Sequence, residues 1–156
     1  MIPVVLPELF LDDPIGSALN ADVESKVVVT RSRGTPYLLD VLERRPRALL
    51  VRENLRDVTG LLTAVDLRHG ESMFLGPPLD HSPLTSCERR ILQFIAFGLS
   101  NPEIARKLNR GISTVNSQVS SVLHKMDARS RHHAGKLYWG HELPSPSSRQ
   151  LTMNHP

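Results

Sequence analysis

The sequence predicts an α/β N-terminal half with a partial parallel sheet, joined to an all-α C-terminal domain of four helices. Three observations predict it. Short β-branched runs alternate with helical patterns before residue 76, which is the order of a parallel sheet. Helical periodicity with matching cap residues fills 84–142. Between them GPPLDHSP (76–83) combines proline with polar residues and reads as a linker. The predicted organisation is therefore 1–75, a linker at 76–83, a helical domain at 84–142, and a disordered tail at 143–156. The tail, LPSPSSRQLTMNHP, is rich in proline and poor in apolar residues.

Composition narrows the function classes. The apolar set is 40% and charged residues are 22%, which suits a chain that buries a core. No run approaches the roughly 18 apolar residues of a membrane span. MIPVVLPELFLDDP has no basic leader before its apolar run, so no secretory signal is predicted. Cys87 is the single cysteine, which excludes an internal disulfide. These features predict a cytoplasmic protein without a membrane partner. The net charge of +3 is unevenly spread: residues 1–79 carry −2 and residues 80–156 carry +5. A basic C-terminal half suits a polyanionic partner, nucleic acid first.

In the N-terminal half the strand candidates are Pro3–Leu6, Lys26–Thr30 and Ala48–Arg52. Tyr37, Leu38, Leu39, Val41 and Leu42 precede Pro46 and predict a helix. Leu55, Val58, Leu61, Leu62, Val65 and Leu67 predict a longer one ending near Gly70.

The helical half starts at Thr85, which with Glu88 makes a capping box. Ile91, Leu92, Ile95, Ala96 and Leu99 then form one apolar stripe, and Gly98 suits the helix end. Asn101-Pro102-Glu103 supplies an N-cap, a first-turn proline and a first-turn acid for the second helix, whose inner face is Ile104, Ala105 and Leu108. Asn109-Arg110-Gly111 is the turn. A third helix is predicted over about 113–126 and a fourth over about 130–141.

The third helix points to chemistry. Val115, Val119, Val122, Leu123 and Met126 share one face, and Asn116, Ser117, Ser120, Ser121 and His124 share the other. A solvated face more often carries Glu and Lys, which are better helix formers. Small hydroxyls and an amide permit close approach to a surface of donors and acceptors, such as base edges in a major groove. A Ser-rich face that meets only solvent is the competing reading.

The stretch 84–134 resembles the LuxR-type, or GerE, helix-turn-helix. The resemblance rests on Leu84-Thr85 with Glu88-Arg89, Gly98-Leu99-Ser100-Asn101, Glu103-Ile104-Ala105, Thr114-Val115, Lys125-Met126 and Ser130-Arg131, at family spacing without a gap. It implies that the third helix enters the major groove of double-stranded DNA. Asn116, Ser117 and Ser120 are then the base-facing candidates. Thr114, Asn101, Lys125 and Arg131 become phosphate-contact candidates. The sequence departs from the family at four places: Asn116 replaces a usual Lys, Gln118 a usual His, Gly111 a usual Ser and Arg110 a usual Ile. Arg110 thereby returns a charge from the turn. In the family the last helix forms the dimer contact, which implies a homodimer through Leu137 and Tyr138. Trp139 suits either that seam or the core.

The N-terminal half resembles the C-terminal part of a response-regulator receiver domain. PVVLPELFLDDPIG stands for the third strand and its loop, and ALLVRENLRDVTGLLTAVDLRHGESMF for the fifth strand and last helix. In that correspondence Glu8 occupies the phosphoacceptor place, Thr30 the hydroxyl switch place and Arg52 the usual Lys place. The first two receiver strands, and the acids that hold Mg²⁺, have no counterpart here. The resemblance thus implies a phosphorylation-independent regulator. An unpaired edge on the third strand would invite pairing with another chain.

The expected function is sequence-specific DNA binding in control of transcription, with no enzymatic activity, cofactor or metal. The alternative is an interaction module that binds no DNA and titrates a full-length regulator by forming a heterodimer with it.

Overall fold

The computed structural model describes residues 4–5, 19, 22–24, 26–51, 60, 63, 65, 72–79 and 81–141. The chain divides into two compact units, Met1–Arg33 with Leu38–Pro78, and Gly34–Tyr37 with Leu79–Pro156. Residues 76–79 and 81–85 carry no helix or strand. The expected tail at 143–156, and the positions of Glu8 and Arg52, lie outside the described residues.

The first unit is built on a four-stranded, all-parallel sheet in sequential order: β1 (Val4–Val5), β2 (Val27–Thr30), β3 (Ala48–Val51) and β4 (Met73–Leu75). Helix α1 (Thr35–Leu42) links β2 to β3 and buries Leu38 and Val41. Continuous burial along VVVT of β2 and ALL of β3 is what a parallel sheet covered on both faces requires. One cluster gathers Val27, Val29, Ala48, Leu50 and Val65, with Met73 packed against it. Thr30 ends β2 in a buried position and its Oγ1 accepts the Ser32 N–H at 3.0 Å. Gly60, Thr63 and Val65 are helical, consistent with the longer helix expected there.

Strand β4 departs from expectation. Met73-Phe74-Leu75 is short and lacks polar alternation, so its sequence reads as loop. It becomes a strand because β3 offers it a parallel edge, with Ala48 opposite Met73 and Leu50 opposite Leu75.

The second unit has four helices: α2 (Ser86–Ala96), α3 (Asn101–Leu108), α4 (Ile112–Lys125) and α5 (Arg131–Trp139). The Thr85–Glu88 capping box forms as the sequence predicts. Helix α2 ends with Phe94 O accepting the Leu99 N–H and Ile95 O accepting the Gly98 N–H. This closure needs the left-handed φ of +81° that Gly98 adopts. Helix α3 starts one residue earlier than expected. Ser100 is the N-cap, Pro102 the second helical residue, and the Ser100 N–H donates to Glu103 Oε2 at 2.7 Å. Asn101 is thereby freed from capping.

The core of this unit holds Ile91, Leu92, Ile95, Ile104, Val115, Val119, Val122 and Ala134. Burial of each of the larger aliphatic chains contributes on the order of 1.5–3 kcal/mol. Helix α4 packs on α2 and α3, and α5 packs on α2. Trp139 is a core residue: its ring meets Phe97 edge to face at 5.6 Å and its Nε1 donates to Ala96 O at 3.4 Å. No helix among the described residues is long and apolar enough to cross a membrane.

Candidate nucleic-acid interface

Helix α4 is amphipathic in the sense its sequence predicts. Val115, Val119 and Val122 are buried, while Ser113, Thr114, Asn116, Ser117, Ser120 and His124 are exposed. The outer face is therefore made of hydroxyls, one amide and one imidazole. Ser117 Oγ donates to Ser113 O at 3.2 Å, and Ser120 Oγ donates to Asn116 O at 3.1 Å. These bonds to the preceding turn hold both hydroxyls close to the helix, which lets a partner surface come near the backbone. Ser121 differs from the expected outward placement. It is half-buried and donates to Glu88 Oε1 at 3.3 Å, because α2 crosses that edge of α4.

Three of the expected DNA-contact residues form one chain of hydrogen bonds across three helices. Arg131, at the start of α5, donates through Nη1 to Asn101 Oδ1 at 2.7 Å and through Nη2 to Leu99 O. Asn101, at the start of α3, donates through Nδ2 to Asn116 Oδ1 at 2.8 Å. Arg131 is half-buried, and loss of water around the guanidinium lowers its pKa from the ordinary arginine value.

Arg110 and Lys125, also expected at the DNA, have protein partners as well. Arg110 Nη1 donates to Gln118 Oε1 at 3.0 Å and to Cys87 Sγ at 3.3 Å. Two of the four departures from the resembled pattern, Arg110 and Gln118, are thus in contact. Lys125 Nζ lies 2.8 Å from Glu88 Oε1. The Glu88 carboxylate also accepts the Thr85 N–H and hydroxyl. Its pKa falls from 4.5 to about 2, first through the Lys125 hydrogen bond and then through the bonds from Thr85, with partial burial opposing. Thr114 is exposed in the first turn of α4, whose N-cap Gly111 has no side chain to occupy the backbone N–H groups there.

The residues expected at a dimer seam are placed differently. Leu137 is 3% exposed and Tyr138 is fully buried, with Tyr138 Oη accepting from Gln93 Nε2 at 3.3 Å. Both serve the interior in this structure, and the residue α5 exposes most is His132. Among the described residues no group of His, Cys, Asp and Glu is arranged to hold a metal ion. Ile112, exposed at the first position of α4, went unremarked in the sequence. With Pro102, Ala105, Arg106, Asn109, Arg110 and Gly111 it lines an open depression beside the turn.

Comparison with known proteins finds a family match within the helical unit. Residues 82–137 match the family described as GerE, bacterial regulatory proteins of the luxR family. No curated protein matches the chain. Among solved structures, it is similar to RcsB from Salmonella enterica serovar Typhimurium bound to promoter rprA in the presence of phosphomimetic BeF3−. That match has 24% identity and a TM-score of 0.38, over 76% of this chain and 61% of that one. It is also similar to the response regulator ChrA of a heme-sensing two-component system, at 19% identity and a TM-score of 0.33, over 72% of this chain and 60% of that one. The chain thus spans about three fifths of the length of these structures.

Proposed function

We propose that this chain, whose residues 82–137 form a LuxR-family GerE domain, is a sequence-specific DNA-binding regulator of transcription that uses α4 as its reading helix. The observation that carries the reading is the outer face of α4. It is exposed, almost uncharged, and made of groups short enough to approach base edges. Thr114, Arg110 and Lys125 flank that face and supply the phosphate contacts that fix register. Asn116, Ser117 and Ser120 supply the readout. The protein works in the cytoplasm, against chromosomal DNA, and needs no catalytic step.

The remaining parts of the reading are assembly and control. The chain binds as a homodimer on two half-sites about one helical turn apart. With Leu137 and Tyr138 buried, its seam uses what α5 leaves exposed, His132 first. Phosphorylation independence is supported by the residue at position 8: a Glu stands where the receiver resemblance requires an Asp as phosphoacceptor.

A mobility-shift titration of the purified chain on fragmented bacterial DNA tests the reading. A shift that survives excess unrelated competitor supports it. Absence of any shift at about 50 mM salt, where phosphate contacts are strongest, overturns it. The pairing of Lys125 with Glu88 favours one second reading, an interaction module that titrates a related regulator. That reading predicts no shift of its own and loss of the relative's shift when the chain is added.

A further inference from the structure

We infer that Arg131 and Asn101 are positioning residues that fix the hydrogen-bonding polarity of Asn116, so that α4 reads a base carrying a keto oxygen in the major groove. The inference rests on the DNA-binding reading above and specifies what one residue of that face recognises.

The argument starts from arginine, which has five N–H donors and no acceptor. The Asn101 atom 2.7 Å from Arg131 Nη1 is therefore the amide oxygen. That leaves the Asn101 NH₂ turned toward α4, where it meets Asn116 at 2.8 Å. An NH₂ group needs an acceptor there, so Asn116 presents Oδ1 inward. Its own Nδ2 is then the atom turned away from Asn101. Asparagine amides often flip at little cost, but here each flip would set donor against donor at one of the two joints. Arg131 is held in turn by Leu99 O, the carbonyl just beyond the end of α2, which anchors the chain to the fold.

The consequence is chemical. An asparagine free to use both atoms pairs bidentately with adenine, accepting from N6 and donating to N7. At Asn116 the oxygen is already engaged and the exposed group is a donor. Donors match guanine O6 and N7 and thymine O4. Cytosine offers only its N4 amine, and adenine offers N7 alone beside the N6 amine, so both take fewer donors than guanine and neither has the keto oxygen of thymine. A keto base at the position Asn116 faces is thus favoured over an amino base on the same strand.

The test is selection of bound duplexes from a library with a randomised core, using the full chain, followed by sequencing. Wild type is expected to enrich one motif position for guanine or thymine over adenine and cytosine on one strand, by about fivefold to tenfold. Asn101→Asp keeps the acceptor toward Arg131 but offers an acceptor toward α4, so Asn116 reverses and exposes Oδ1. The same motif position is expected to switch to adenine or cytosine, although residue 101 itself reads no base. Asn116→Asp, which also exposes an acceptor, is expected to give the same switch. A purely structural role for Asn101 predicts a weaker motif of unchanged identity.

The inference is overturned if Asn101→Asp retains the keto preference at the position that Asn116→Asp alters, or if Asn116→Asp alters none. Asn101→Ala leaves Asn116 free to turn either way and is expected to lose the keto preference in the duplexes it still binds. Retention of that preference in Asn101→Ala also overturns the inference. Failure to enrich any motif, with no binding to the random library, would remove the DNA-binding reading itself and the inference with it.

Discussion

Lys125 Nζ donates to both carboxylate oxygens of Glu88, at 2.8 and 2.9 Å, across 37 residues of sequence. Glu88 is at the same time the N3 residue of the α2 capping box, so one carboxylate starts α2 and clamps the end of α4. A residue that the family pattern offers as a phosphate contact is therefore also part of the fold.

This pair predicts a pH-dependent stability. The Glu88 pKa is depressed in the fold, from 4.5 to about 2. Its contribution is complete above the unfolded value and is lost as pH falls through that range. Allowing for the 38% exposure of the Lys125 side chain, we expect Glu88→Gln to destabilise the C-terminal unit by about 1–2 kcal/mol at pH 7. The deficit should shrink below pH 4.5 and vanish near pH 2. Denaturant melts of wild type and variant between pH 2 and 7 check this.

The same variant frees a cation. With Glu88→Gln, the charge that Lys125 brings to the phosphates is no longer opposed by a carboxylate, so affinity for any duplex should rise. Arg110→Ala should do the opposite, weakening binding on all sequences alike with a shallower slope. Fluorescence anisotropy on one unrelated duplex from 50 to 300 mM salt measures both. An unchanged affinity in Glu88→Gln would show that Lys125 does not reach the backbone.

Ser117→Glu and Ser120→Glu place a carboxylate on the outer face of α4, against phosphates and base acceptors. Each should abolish sequence-selective binding while changing stability by no more than about 0.5 kcal/mol, since both positions are exposed. Mobility shifts together with thermal melts check this. Full operator affinity in either variant would rule out α4 as the reader.

Control by phosphorylation is expected to be absent. Operator affinity should be the same with and without acetyl phosphate and Mg²⁺, and Glu8→Gln should weaken binding if the fixed charge at position 8 mimics a phosphorylated acceptor. A donor-dependent affinity would contradict the first statement, and unchanged Glu8→Gln affinity the second.

What the sequence disclosed was mostly local. The Thr85–Glu88 box, the valine stripe of α4 and the glycine at the end of α2 depend on residues within one or two turns of each other. Ser100 and Asn101 are equally good caps, and Pro102 suits the first or second helical position. Local chemistry alone therefore left the start of α3 open by one residue. Strand β4 was hidden because its three residues become a strand only through pairing with β3. Ser121 was misplaced because its environment is set by α2, which lies outside the reach of helical periodicity. The Lys125–Glu88 clamp and the Arg131–Asn101–Asn116 chain join residues far apart in sequence. Leu137 and Tyr138 show the same limit: an apolar helix face is drawn alike for a seam and for a core, and here the core took both.

The claim on which the rest depends is that α4 enters the major groove and reads it. Methylation interference on the duplex enriched from the random library tests this most directly, because guanine N7 lies in the major groove and adenine N3 in the minor groove. The account predicts that N7 methylation blocks binding of the full chain at two clusters about one helical turn apart, and that N3 methylation between them does not. Binding that tolerates N7 methylation throughout the site, or that is lost only on N3 methylation, would contradict it.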